Sequence, residues 1–295
     1  MKTKILILGS TGMLGHMVKR VLSDTKYFYV EGTHLRNKGD LYYFNVLEGI
    51  KKINLIWEKN KGFAYIINCI GITKDKINES DSDSIVKAIK INSLFPHYLA
   101  EFCRDKEVRI INISTDGVFS GLAESYLEDS FHDCVDVYGK TKSLGEVLDK
   151  HFLNIRCSIL GPSPFEKRGL FEWFSAQPEG SKVYGYTNHL WNGVTTLQFA
   201  ELCRKIIKDS KFDTLREESA VFHFAPNKPL TKFELLNCLK VVLNKKIIIV
   251  PKKNKGGRIS RVMLSKYSGI KKIYKQNISM KDALLKLVGF YYRKG

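Results

Sequence analysis

A phenol and a primary amine stand four residues apart in "VYGKTKSLGE" (Val137 to Glu146), which otherwise reads as the start of a polar helix. Residues i and i+4 lie side by side one helical turn apart, so Tyr138 and Lys142 share a face. Such a pair can move a proton. A tyrosine with an ordinary pKa near ~10 parts with its proton reluctantly, and bringing it about 3 units nearer neutrality takes about 4 kcal/mol of preferential phenolate stabilisation. A neighbouring ammonium can supply part of that. A third group comes from "VRIINISTD" (Val108 to Asp116), whose C-terminal Ser114, Thr115 and Asp116 carry hydroxyls and a carboxylate. A hydroxyl at Thr115 can hold a carbonyl oxygen while Tyr138 protonates it.

These groups need a scaffold that brings a strand end and a helix start together. "KILILG" (Lys4 to Gly9) is an apolar run closed by glycine, and Met13, Leu14, Met17, Val18, Val21 and Leu22 then recur at helical spacing. "YFYVEGT", "GFAYIINCIG", "VRIINISTD" and "FLNIRCSILG" read as further strands. Between them lie a long helix from Asp81 to Arg104, bent at Pro96, and the helix of Tyr138 and Lys142. Strict alternation predicts parallel strands with right-handed crossovers, hence an α/β doubly wound Rossmann sheet. After Gly161 the pattern loosens into helices, one with Thr231 as N-cap, and short strands such as "AVFHFAP" and "KIIIVP". The expected division is residues 1–160, with a returning segment about 190–225, for the sheet, and 161–189 with 226–295 for a smaller interleaved α/β lobe.

The first strand opens onto "GSTGMLG". Gly9 allows a tight turn, Gly12 lets a pyrophosphate approach the backbone, and Gly15 permits close helix packing. The turn, Gly9, Thr11, Gly12, Met13, Leu14 and Gly15, is therefore expected to seat a dinucleotide on the helix N-terminus. Beyond the second strand, Arg36 and Lys38 would suit the 2′-phosphate of NADPH, whereas Glu31 would suit NADH if that strand ends earlier.

Composition sets limits. In 295 residues, 44% hydrophobic and 26% charged, there is enough apolar material for a large core. No stretch reads as a signal or a membrane span, so a cytoplasmic protein with no membrane partner is expected. The six cysteines show no CxxC pair or metal-ligand spacing, and they read as small buried hydrophobes, with no metal. The formal charge of +18, dense near the C-terminus as in "NKKIIIVPKKNKGGRISR", could attract nucleic acid, serve small polyanions or reflect a Lys- and Ile-rich genome; no nucleic-acid motif accompanies it, so no nucleic-acid partner is expected. Within it Arg258 and Arg261 can fork onto diphosphate oxygens, and Trp191 offers a flat face to a sugar or base.

Taken together, "GSTGMLG", "NCIG", "INSLFPHYLA", "ISTDGVFSG", "YGKTKSLGE" and "IRCSILGP" resemble the extended short-chain dehydrogenase/reductases, and among them the dTDP-4-dehydrorhamnose reductase (RmlD-like) family. The resemblance runs from Lys4 to about Phe199. It implies reduction of the 4-keto group of a nucleotide-linked deoxysugar by NADPH for surface polysaccharide, with Thr115, Tyr138 and Lys142 as the catalytic set. It further implies that Asn45 and Val46 meet the adenine, that Cys69, Ile70 and Gly71 lie along the cofactor, and that Asn92 supports the site. Gly117 stands where the family has a tyrosine, which removes a side chain expected near the sugar and would suit a UDP-linked N-acetyl sugar. An epimerase or dehydratase on the same fold and a non-catalytic NADP-binding regulatory subunit are the alternatives, and a homodimer is compatible with all three.

Overall fold

In the computed structural model, which describes residues 2–40 and 42–293, strands β1 (Thr3–Leu8), β2 (Phe28–Gly32), β3 (Tyr65–Asn68), β4 (Arg109–Thr115) and β5 (Phe152–Cys157) form a parallel sheet. A sixth strand, Val221–His223, joins it beside β5, and the order across the sheet is Val221–His223, β5, β4, β3, β1, β2. The apolar run of β1 is buried on both faces. Ile5 and Ile7 enter one core with Met17, Val18, Phe199 and Ile206, while Leu6 and Leu8 enter a second with Ile53, Ile56, Phe95 and Leu99. Alternation along a strand divides the side chains between the two layers of helices, and each buried aliphatic side chain contributes about 1.5–3 kcal/mol.

One feature of this sheet is polar. Asn68, Asn112 and Asn154 stand in register on β3, β4 and β5, all buried. Asn68 Nδ2 donates to Asn112 Oδ1 at 2.9 Å, Asn112 Nδ2 to Asn154 Oδ1 at 2.9 Å, and Asn154 Nδ2 to the Val147 carbonyl at 2.7 Å. Slipping any of these strands by one residue would strand an amide in the core, so the ladder specifies register.

From β1 the chain goes outward to β2, then returns to the far side of β1 for β3. The crossovers through α1 (Gly15–Ser23) and α2 (Lys51–Lys59) thus diverge, leaving a crevice at the C-terminal ends of β1 and β3. The helix expected from Asp81 to Arg104 is instead three pieces. Asp81 caps α3 (Ser82–Ala88), a π-helical segment follows over Ile89–Leu94, and α4 (Phe95–Lys106) carries Pro96 in its first turn. Proline has no N–H to offer the carbonyl a turn earlier, and the wider turn accommodates the loss. Gly145 packs against the freed region, since a Cβ there would lie 1.9 Å from the Asn92 carbonyl.

Helix Thr196–Lys208, with a capping box between Thr195 and Gln198, packs on α1 beneath the large sheet. The remaining segments form a small sheet, with His189–Trp191 between Leu230–Thr231 and Ile259–Arg261, and a parallel pair, Lys182–Tyr186 with Ile248–Lys252. Thr231 and Glu234 cap the helix Lys232–Val242. Among the described residues no helix is long and apolar enough to cross a membrane.

Candidate active site

The turn after β1 is tied to the end of β2 through Thr33, which is almost fully buried. The Gly9 N–H donates to Thr33 Oγ1 at 3.0 Å, and the Ser10 N–H and hydroxyl both donate to the Thr33 carbonyl at 2.9 Å. Gly9 has φ +76°, a conformation that favours glycine, and a Cβ on Gly15 would lie 2.1 Å from the Gly9 carbonyl oxygen. Gly12 differs. Its φ is ordinary and a Cβ would meet nothing closer than 3.4 Å, so no protein atom demands glycine there. What a Cβ would fill is the cleft in front of the α1 N-terminus, whose first turn carries no acidic residue. This cradle fits a diphosphate.

Across the crevice, Asp136 accepts from the Gly139 N–H at 2.7 Å and so caps α5 (Val137–Leu144), which packs against the turn after β4. The cap places Tyr138 in the first turn and Lys142 in the second. Lys142 is buried, and its Nζ donates to the Ile113 carbonyl at 2.9 Å. Burial lowers its pKa to about 8, against the pull of Glu146. Burial pushes the Tyr138 phenol up to about 12, with a hydrogen bond to Thr115 opposing and the Asp116 charge adding. The Lys142 ammonium is turned to the Ile113 carbonyl, and burial dominates at the phenol. The ring of Tyr138 lies on Gly117, where a Cβ would come within 2.8 Å of Cε1. A side chain at position 117 would therefore press on the phenol and on the Thr115 hydroxyl.

Gly12, Met13, Leu14, Cys69, Ile70, Gly71, Thr115, Asp116, Tyr138 and Lys142 line one cleft of about 900 Å³. Thr11, Gly9 and Gly15 form the turn behind it. Asn92 acts from beneath: its Oδ1 accepts from the Ile72 N–H at 2.9 Å, and its Nδ2 donates to the Ile72 carbonyl and the Thr141 hydroxyl, pinning the strand-end segment to α5. Other candidates stand apart from this lining. Arg36 is exposed, its guanidinium 4.2 Å from the Phe165 ring centroid, and Glu31 accepts from the Tyr29 hydroxyl. Asn45 caps the turn Val46–Glu48 by accepting from the Leu47 N–H. Arg258 faces Glu124 at 3.5 Å on the surface, whereas Arg261 Nη1 donates to the Asp116 carbonyl at 3.0 Å. Trp191 is buried beneath Lys232, whose Nζ lies 4.6 Å from the indole.

Several lining residues escaped sequence reading. Ser158, Ser163, Glu166, Arg168 and Trp173 enter from the segments after β5, and Lys74 and Lys76 from the turn after β3. Lys76 pairs with Glu166 at 2.6 Å and Asp75 with Arg168 at 3.4 Å across the mouth; they are solvated pairs that contribute little to stability. No spacing rule joins positions this far apart in the chain. A second cavity, about 500 Å³ around Arg109, His151 and Asp213, lies at the opposite end of the sheet. Its Arg109 is already forked onto Asp213, and Arg216 onto the Leu148 and Asp149 carbonyls.

Residues 3–163, more than half of the chain, match the family model described as the RmlD substrate binding domain. The chain belongs to this family. Among its RmlD-like relatives, methionine adenosyltransferase 2 subunit beta from Xenopus tropicalis is 29% identical over 48% of this chain and 41% of the relative. A probable low-salt glycan biosynthesis reductase, Agl14, from Haloferax volcanii is 27% identical over 48% of this chain and 46% of the relative. The chain thus matches less than half the length of each. In structure, the dTDP-4-dehydrorhamnose reductase of Bacillus anthracis, solved in complex with NADP, superposes with a TM-score of 0.77 at 17% identity, over 99% of this chain and 100% of that one. This likeness carries the fold match beyond residue 163 to the rest of the chain.

Proposed function

We infer that the protein is an NADPH-dependent reductase acting on the 4-keto group of a nucleotide-linked deoxysugar, in the cytoplasm, for surface polysaccharide synthesis. The observation that carries this reading is the meeting of Thr115, Tyr138 and Lys142 with the glycine turn in one cleft. Gly12, Met13 and Leu14 would hold the diphosphate of the cofactor, Cys69 to Gly71 would line its path, and Arg36, with Asn45 and Val46, would serve its adenosine end. Bound NADPH supplies hydride. Tyr138 gives its proton to the carbonyl oxygen, and the Thr115 hydroxyl orients that oxygen. The high phenol pKa keeps Tyr138 protonated, as a donor must be, across the physiological range.

In this reading residues 1–160 with 190–225 hold the cofactor, and 161–189 with 226–295 hold the sugar nucleotide. Arg261 and Lys232, which flank Asp116, suit its diphosphate better than Arg258, which already has a carboxylate partner.

The test is NADPH oxidation against a panel of dTDP-, UDP- and GDP-linked 4-keto-6-deoxysugars. Turnover of at least one, with NADPH bound more tightly than NADH and the difference narrowed by Arg36→Ala, is expected. Tight NADPH binding with no turnover of any member would instead support a non-catalytic subunit, the reading favoured by the likeness to the methionine adenosyltransferase subunit.

A further inference from the structure

Behind the catalytic strand, Arg156 of β5 is 3% exposed, and a guanidinium carries five N–H donors. All five are met. Nε and Nη2 fork onto the two carboxylate oxygens of Glu146 at 2.7 Å each, and Nη2 also reaches His132 Nε2 at 2.7 Å. Nη1 donates to the Glu128 carbonyl at 2.9 Å and meets His223 Nε2 at 3.2 Å. Both imidazoles have Nδ1 engaged elsewhere, His132 with the Ser143 hydroxyl at 2.6 Å and His223 with the Leu264 carbonyl at 2.8 Å. Each therefore offers Nε2 as an acceptor only while neutral. The carboxylate of Glu146 is thereby held in one place.

That place is next to the chemistry. Glu146 accepts from the Ser114 hydroxyl at 2.5 Å, one residue before Thr115, and follows Lys142 by four residues, just past the end of α5. The groups around Lys142 are the Ile113 carbonyl from β4, the Cys157 thiol from β5 and Glu146 on its own segment, with Asp116 beyond Cys157. The Lys142 amine sits on the carbonyl of Ile113 and the Glu146 carboxylate on the hydroxyl of Ser114, adjacent residues of β4, so the two charges are held at the same strand end. We propose that Glu146 is a positioning residue of the active site: clamped by Arg156, it fixes Ser114 behind Thr115 and holds a carboxylate at the strand end where the Lys142 amine is seated. Without it, burial alone would govern the amine, and a neutral lysine would leave the cleft short of a cation near the hydride-transfer locus. The inference rests on the reading of Lys142 as a working residue, but the coupling can be measured without any substrate.

The experiment follows the side-chain nitrogen of Lys142 by NMR titration in ¹⁵N-lysine protein, in the parent, in Glu146→Gln and in Glu146→Gln/Arg156→Gln. The double variant removes the orphaned guanidinium that could unfold the single one. In the parent the ammonium should persist at pH 7 and titrate near pH 8. In the variants the midpoint should fall by about one pH unit, so that about tenfold more of the lysine is neutral at a given pH. The alkaline limb of NADPH oxidation should fall with it. A neutral Lys142 at pH 7 in the parent, or an unmoved midpoint in a folded variant, overturns the proposal. A uniform loss of activity with no change in pH profile would mark a purely structural ion pair and also overturn it. A shifted lysine titration in a protein with no reductase activity upholds the coupling and refutes the proposed reaction instead.

Discussion

Under the proposed reaction, Tyr138 serves chemistry and Gly12 serves binding, and substitutions should separate the two. Tyr138→Phe removes a proton donor while leaving the glycine cradle untouched, so turnover should fall by about 10²–10⁴ with NADPH affinity nearly unchanged. Single-turnover and equilibrium binding measurements check the two halves. The glycines should part company too. Gly12→Ala adds a Cβ that meets no protein atom closer than 3.4 Å, so thermal stability should stay at the parent value while NADPH affinity drops at least about tenfold, or ~1.4 kcal/mol. Gly15→Ala drives a Cβ into the Gly9 carbonyl and should cost about 1–3 kcal/mol of stability whether or not cofactor is present. Equal loss of stability in both variants would remove the case for a ligand at Gly12.

At the scale of elements, the asparagine ladder across β3, β4 and β5 carries a prediction that hydrophobic patterning would not make. Asn112→Ala leaves the Asn68 Nδ2 donor and the Asn154 Oδ1 acceptor unmatched inside the sheet. The expected cost is about 2–4 kcal/mol, seen as a lower urea midpoint at unchanged m-value. A loss under about 0.5 kcal/mol would show that the amides find other partners. Much of the element layout could be read from local pattern: the glycine-closed first strand, the alternation through β5, and the Thr231 cap lie in short windows where period and punctuation act. The broken helix around Asn92 could not. Its π segment is matched by Gly145 approaching from α5, a contact across some fifty residues of chain that no window contains.

For the molecule as a whole, the Arg156 network predicts how stability responds to acid. His223 is buried, and its pKa is lowered from 6.5 to about 4, chiefly by burial and further by Arg156. A group whose folded pKa lies below its unfolded value contributes stability that is fully present above the unfolded pKa and is lost as pH falls toward the folded one. The loss therefore sets in as pH falls through 6.5 and continues down toward about 4. Urea midpoints measured across that range should fall in the parent and fall less in His223→Gln, which keeps an acceptor but cannot be protonated. Parallel curves for the two proteins would place the acid sensitivity elsewhere.

What the sequence determined by itself is whatever depends on neighbours along the chain: the sheet class, the strand-turn-helix geometry of Gly9 to Gly15, and the shared face of Tyr138 and Lys142, each set by backbone sterics and helical or strand period. Tertiary structure decided the rest. It turned the Lys142 ammonium to Ile113, laid the Tyr138 ring on Gly117, buried Trp191 beneath Lys232, and set Arg258 against Glu124 but Arg261 against Asp116. Charge, burial and hydrogen-bond satisfaction are properties of a place in space, and segments as distant as Ser114, His132, Glu146, Arg156 and His223 share a place only after the chain has folded.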